Sequence, residues 1–84
     1  MAGSKSKFTL SVISQKEIVY YGNCDVLFVP SDHDVVAIMA YHTPMIMKLG
    51  KGKVVMRDGS SDRELGTVET GLLYVGDNQV SVLI

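Results

Sequence analysis

The chain has 84 residues, 46% of them hydrophobic, and eight Lys and Arg against nine Asp and Glu leave a net charge of −1. That length holds one domain with a thin core, because a fold of this size buries only roughly 60–65% of the surface its unfolded chain exposes. The charge balance gives no electrostatic case for a nucleic-acid partner, where a basic stripe is expected, and no apolar run reaches the ~18 residues of a membrane span.

Residues 1–7 read as a disordered lead-in, and the domain occupies 8–84. Phe8, Leu10 and Val12 alternate with polar residues and share one face of a first strand; the stretch is too short and mixed for a signal peptide. Residues 17–21 (EIVYY) form a second strand rich in β-formers, and Gly22-Asn23 reads as a turn. Cys24, Val26 and Phe28 then alternate with Asp25, Leu27 and Val29. That third strand is apolar on both faces beyond Asp25, which predicts an interior position. Residues 30–34 are a polar, proline-led loop, followed by a short apolar strand over Val35–Met39.

Tyr41-His42-Thr43-Pro44 breaks the pattern, since Pro44 removes a backbone donor, and Met45–Leu49 resumes it. Strands at 53–57 and 63–69 bracket a hairpin loop at 58–62. The last pair, 72–75 and 79–84, is joined by a tight turn at Gly76-Asp77-Asn78. About nine short strands with regular turn signals predict an all-β fold, a two-layer antiparallel sandwich. Its expected core holds Leu10, Val12, Val26, Phe28, Leu73, Val75, Val80 and Val82.

Few residue groups carry chemistry. His42 beside Pro44 has the side chain of a base, a ligand or a loop-fixing hydrogen bonder, and the loop-fixing or interface role is the expectation. Asp32-His33-Asp34 resembles half a metal site, but nothing else at suitable spacing supplies a third ligand, so it reads as a solvated loop. Cys24 is the only cysteine, which excludes an internal disulfide and fits a reducing compartment; it reads as a small buried hydrophobe. Met45 and Met47 share a strand face that suits either core or interface. Gly50-Lys51-Gly52-Lys53 lacks the glycine spacing of a phosphate-binding loop and reads as a turn. No nucleophile, base and orienting acid can be assembled, so catalysis is not expected.

As an ordered string, the chain resembles the N-terminal domain of the epsilon subunit of F-type ATP synthase. The carriers are Leu10-Ser11-Val12-Ile13-Ser14, Tyr21-Gly22, and Asp25-Val26-Leu27-Phe28-Val29. To these are added Ile38, His42 and Pro44, and at the end Thr70-Gly71, Leu73, Val75, Asn78, Val80, Val82 and Leu83. The family's two signature glycines fall on Asp34 and Ala37, and the acid between them falls on Val35. Its usual Pro-Gly or Pro-Asn before the histidine is Ala40-Tyr41, and its C-terminal helical hairpin is not matched.

The resemblance implies a flattened sandwich of about ten strands and a stalk subunit that does no chemistry and takes no cofactor. It implies the gamma subunit and the c-ring as partners, with coupling of ring rotation to ATP synthesis and no direct membrane insertion. The implied location is peripheral, on the cytoplasmic face of a bacterial inner membrane or the equivalent organelle face. The implied ring-side interface is Asp32, Asp34, Val35, Tyr41, His42 and Pro44, with Asp32 or Asp34 standing in for the missing acid. Without the helical hairpin, neither hydrolysis inhibition nor ATP binding by that route is expected. The alternative expectation is a free-standing sandwich adaptor that binds another protein or peptide by its edge strands.

Overall fold

The computed structural model describes residues 6–84; most of the expected lead-in, residues 1–5, lies outside the described residues. Among the described residues, nine strands follow in chain order: β1 (Phe8–Ile13), β2 (Ile18–Cys24), β3 (Val26–Pro30), β4 (Val35–Met39), β5 (Met45–Leu49), β6 (Gly52–Asp58), β7 (Ser61–Val68), β8 (Gly71–Gly76) and β9 (Gln79–Leu83). They form two sheets, one ordered β2-β1-β9-β8-β5 and the other β4-β3-β6-β7. The all-β sandwich expected from alternation and turn spacing is the observed architecture. One pairing departs from an antiparallel design: β1 and β9 run parallel, Leu10 opposite Val80 and Val12 opposite Val82. Strand alternation cannot reveal this, because it fixes faces and not directions.

The core lies between the sheets. Phe8, Leu10, Val12, Leu73, Val75, Val80 and Val82 face inward from the five-stranded sheet, and Leu27, Val29, Ile38, Val54, Met56 and Val68 from the other. Met45 and Met47 pack half-buried against it, at the edge where β5 has one neighbour. Six of the eight expected core residues are therefore buried, and Val26 and Phe28 are not.

The reason lies at Asp25. Cys24 ends β2 in one sheet and Val26 begins β3 in the other, so the chain changes layers there and the inward parity shifts from even to odd positions. Leu27 and Val29 then fill the core, while Phe28 turns outward beneath the Arg57 guanidinium, 5.0 Å from its ring centroid. The expected turn at Gly22-Asn23 is likewise absent. Both residues continue β2, opposite Leu10 and Thr9, because the reversal is taken two residues later by the change of sheet.

Two turns set the ends of the molecule. Asp77 and Asn78 both have positive φ, 55° and 56°, the pair a type I′ hairpin needs between β8 and β9. Gly50 brings the β5–β6 corner against the β3–β4 loop: its N–H donates to the Pro30 carbonyl oxygen at 2.9 Å. A Cβ on Gly50 would sit 2.5 Å from the Ser31 carbonyl oxygen, so only glycine allows this approach.

Candidate docking surfaces

The six residues expected at one interface fall into two groups. Asp32 and Asp34 lie in the β3–β4 loop and Val35 opens β4, whereas Tyr41, His42 and Pro44 lie in the β4–β5 loop at its other end. The five-residue strand β4, roughly 16 Å long and opened by Val35, runs between them.

The first group is built on a tight loop. Ser31 N–H donates to the Asp34 carbonyl oxygen at 2.7 Å, and the Ser31 hydroxyl donates to the same oxygen at 2.9 Å. Asp32, His33, Asp34 and Val35 are exposed and line an open cleft with Phe28, Pro30, Lys51 and Lys53. Two acids and two lysines therefore share the lining of one cleft with Phe28 and Pro30. Among the described residues, no three His, Cys, Asp or Glu side chains stand where they could hold a metal ion.

The second group is held by Asn78, which the sequence places in a turn and among the carriers of the resemblance, but without these contacts. Asn78 Oδ1 accepts the Tyr41 N–H at 2.7 Å, and its Nδ2 donates to the Lys7 carbonyl oxygen at 2.9 Å. Its own carbonyl oxygen accepts the Thr9 N–H at 3.3 Å. Asn78 thus ties the β4–β5 loop to the start of β1, and it holds Tyr41 at φ 60°, a conformation uncommon outside glycine. The Tyr41 ring is left exposed beside it. His42 donates from Nδ1 to the Thr43 carbonyl oxygen at 2.7 Å, a bond that stays within the loop.

The neighbouring corner is ionic. Asp25, 8% exposed, accepts the Gly59 N–H at 2.6 Å and lies 3.3 Å from Lys7 Nζ, which also meets Asp58 at 2.7 Å. The hydrogen bond to Asp58 raises the Lys7 pKa above its ordinary value; Asp25 adds to the effect and desolvation opposes it. Cys24 lies beside this corner with its thiol donating to the Val26 carbonyl oxygen at 3.1 Å. Burial pushes its pKa from 9.0 to about 11, so the thiol stays neutral and a poor nucleophile.

The largest feature is a face. In the five-stranded sheet, Ile13, Ile18, Tyr21, Ile46, Leu72, Tyr74 and Leu83 point away from the core, and each is more than a third exposed. The registers order them in two rows across the sheet: Lys48, Leu72, Leu83, Ile13 and Ile18 in one, and Ile46, Tyr74, Ser81, Ser11 and Tyr21 in the next. Lys48 is the only charged residue in those five strands. Apolar and tyrosine side chains with few charges are the composition of a protein–protein interface core, with Ser81 and Ser11 at the centre of this one, on β9 and β1. The alternation that marks these strands also marks this face, once the inward set is known.

The chain matches the model of the β-sandwich domain of the ATP synthase delta/epsilon chain over residues 7–84. It is 36% identical over 80 residues to the ATP synthase epsilon chain of Leptospira interrogans, covering 95% of this chain and 62% of that protein. To the epsilon chain of Leptospira borgpetersenii it is 38% identical over 77 residues, covering 92% of this chain and 60% of that one. The chain thus spans about six tenths of the length of the curated relatives it matches. In fold it is similar to a chain of the Euglena gracilis mitochondrial ATP synthase, solved as OSCP, F1 and c-ring, with a TM-score of 0.83 and 15% identity. That match covers 99% of this chain and 54% of the other.

Proposed function

Because this chain belongs to the β-sandwich domain family of the ATP synthase delta/epsilon chain, we propose that it is a non-catalytic rotor subunit of a proton-translocating F-type ATP synthase. It sits in the central stalk, peripheral to the membrane, and couples c-ring rotation through the gamma subunit to ATP synthesis in the catalytic head. The observation that carries this reading beyond the family match is the outer face of the five-stranded sheet, wide, apolar and almost uncharged. It is a surface for docking a large protein, and gamma is the partner assigned to it.

The loops at the two ends of β4 supply the remaining contacts. Asp32, Asp34 and Val35 meet the c-ring, with the two acids in the place of the acid that Val35 replaces. Tyr41, His42 and Pro44 form a second contact at the far end, shaped by the Asn78 tie. The domain binds no cofactor in this role.

The test is reconstitution of Asp32→Ala, Asp34→Ala, Tyr41→Ala and His42→Ala chains into synthase stripped of this subunit, scored for melting temperature and for proton-driven ATP synthesis. Truncating an interface anchor costs at least ~2 kcal/mol, whereas a solvated surface change stays within about 0.5 kcal/mol. At least one variant is expected to fold like the parent yet assemble poorly or uncouple. Four variants that fold and couple like the parent would remove these loops from the interface.

A further inference from the structure

The four sheet edges are not equally protected. β7 carries Asp62, Arg63 and Glu64, and its pairing with β6 is broken by a register shift. β2 has a register shift opposite Val12 and Ile13, and Arg63 of β7 lies over its Tyr20 ring at 5.7 Å, closing that flank of the sandwich. β5 begins after Pro44 and carries Lys48. β4, the sequence VVAIM, has no charge, no proline and no register shift along its pairing with β3. Natural sheets use charges, prolines and bulges to block edge-to-edge pairing, and β4 has none of the three.

Its open side can be assigned from the ladder. The Ser31 N–H to Asp34 bond makes those two residues a hydrogen-bonded pair. Alternation then directs the backbone groups of Val36 and Ile38 toward β3, opposite Val29 and Leu27. The N–H and C=O of Val35, Ala37 and Met39 therefore point outward from the sheet. The same three residues turn their side chains to the outer face, where Val35 is 68% and Met39 58% exposed.

We propose that in solution this chain forms a two-fold dimer in which β4 pairs with β4 of a second copy, antiparallel and centred on Ala37. That register makes Ala37 a hydrogen-bonded pair with its symmetry mate and sets Val35 opposite Met39 on both sides of the axis. The smallest of the three outward side chains stands on the two-fold axis, and the apolar ones meet each other. The charges agree: the Asp32 and Asp34 end of one strand lies beside the Tyr41 and His42 end of the other, so no two acids face each other. A self-complementary patch is what a two-fold interface requires.

The contact strip is well below the ~800 Å² per partner of a standard stable interface, so the dimer forms at high concentration and dissociates on dilution. The inference does not rest on the stalk reading. Val35 belongs to both surfaces, however, so a chain paired in this way cannot dock to a ring through that residue.

The experiment is sedimentation equilibrium with backbone amide NMR on the 84-residue chain, from about 10 µM to about 1 mM, a range suited to an interface this small. The mass is expected to rise toward twice that of one chain. The amides of Val35, Ala37 and Met39 should shift and gain exchange protection with concentration, with Val36 and Ile38 protected throughout. Ala37→Lys places two ammonium groups at the axis and should stay monomeric with an unchanged melting temperature. A monomeric mass at every concentration would overturn the dimer, as would growth in mass without a response at the odd-numbered β4 amides, or association undiminished in a folded Ala37→Lys chain. If that variant fails to fold, the amide pattern of the parent decides alone.

Discussion

Asn78 does more for the shape of this domain than its place in a turn suggests. Its side chain fills two hydrogen-bonding roles between segments far apart in sequence, and its backbone occupies the left-handed region at φ 56°. Asn78→Ala removes both bonds and places an alanine where a Cβ is disfavoured. The expected loss is about 2–3 kcal/mol in a urea titration, together with faster exchange of the Tyr41 amide. Asn78→Asp keeps the acceptor for Tyr41 and loses the donor to the Lys7 carbonyl oxygen, so it should fall between. Cys24 gives a pH prediction. Its folded pKa of about 11 exceeds the ordinary 9.0, so its contribution to stability is complete below pH 9 and is lost as pH rises toward 11. Lys7, also raised, acts in the same direction above 10.5. A thermal-melting series should therefore show a decline beginning near pH 9, and iodoacetamide at pH 8 should label Cys24 only after denaturation.

Among the elements, β3 separates what could be read in advance from what could not. β1, β8 and β9 alternate between buried and half-buried or exposed positions up to Val75, beyond which Gly76 is also buried, and their inward residues follow from sequence alone. Val26 to Val29 are apolar at every position, so alternation cannot choose a face, and the choice is made by the change of sheet at Asp25. Leu27→Ala is therefore expected to cost about 2–5 kcal/mol by opening the core, and Val26→Ala about 1 kcal/mol or less; the reverse order in chemical denaturation would contradict the observed parity. Gly50 was legible only as part of a turn, because its close approach to Ser31 is a contact between distant loops. Gly50→Ala forces the β3–β4 loop and the β5–β6 corner apart, at an expected cost of about 1–3 kcal/mol in the same titration. The candidate interface was legible as a list of residues and not as a place. The length of β4, which divides Asp32, Asp34 and Val35 from Tyr41, His42 and Pro44, decides that they fall into two groups at opposite ends of that strand.

At the scale of the whole molecule, one broad face and two loop ends make a body suited to being held from several sides. The extents of 40 × 22 × 22 Å describe an elongated block, with the five-stranded sheet as one of its large faces. Its outer residues could be named from alternation, but their unity as one almost uncharged surface emerges only when parallel β9 joins β1 to β8. Ile46→Glu and Tyr74→Glu, neighbours across β5 and β8, place charge on that face without touching the core. The most direct test of the stalk reading is quantitative co-purification of the tagged chain, parent and double variant, from native membranes. The parent is expected to bring down gamma and the synthase catalytic subunits in fixed ratio, and the double variant, folded by circular dichroism, to recover at least tenfold less gamma. A parent that recovers no synthase subunits, or a double variant that recovers gamma as the parent does, would contradict docking through this face.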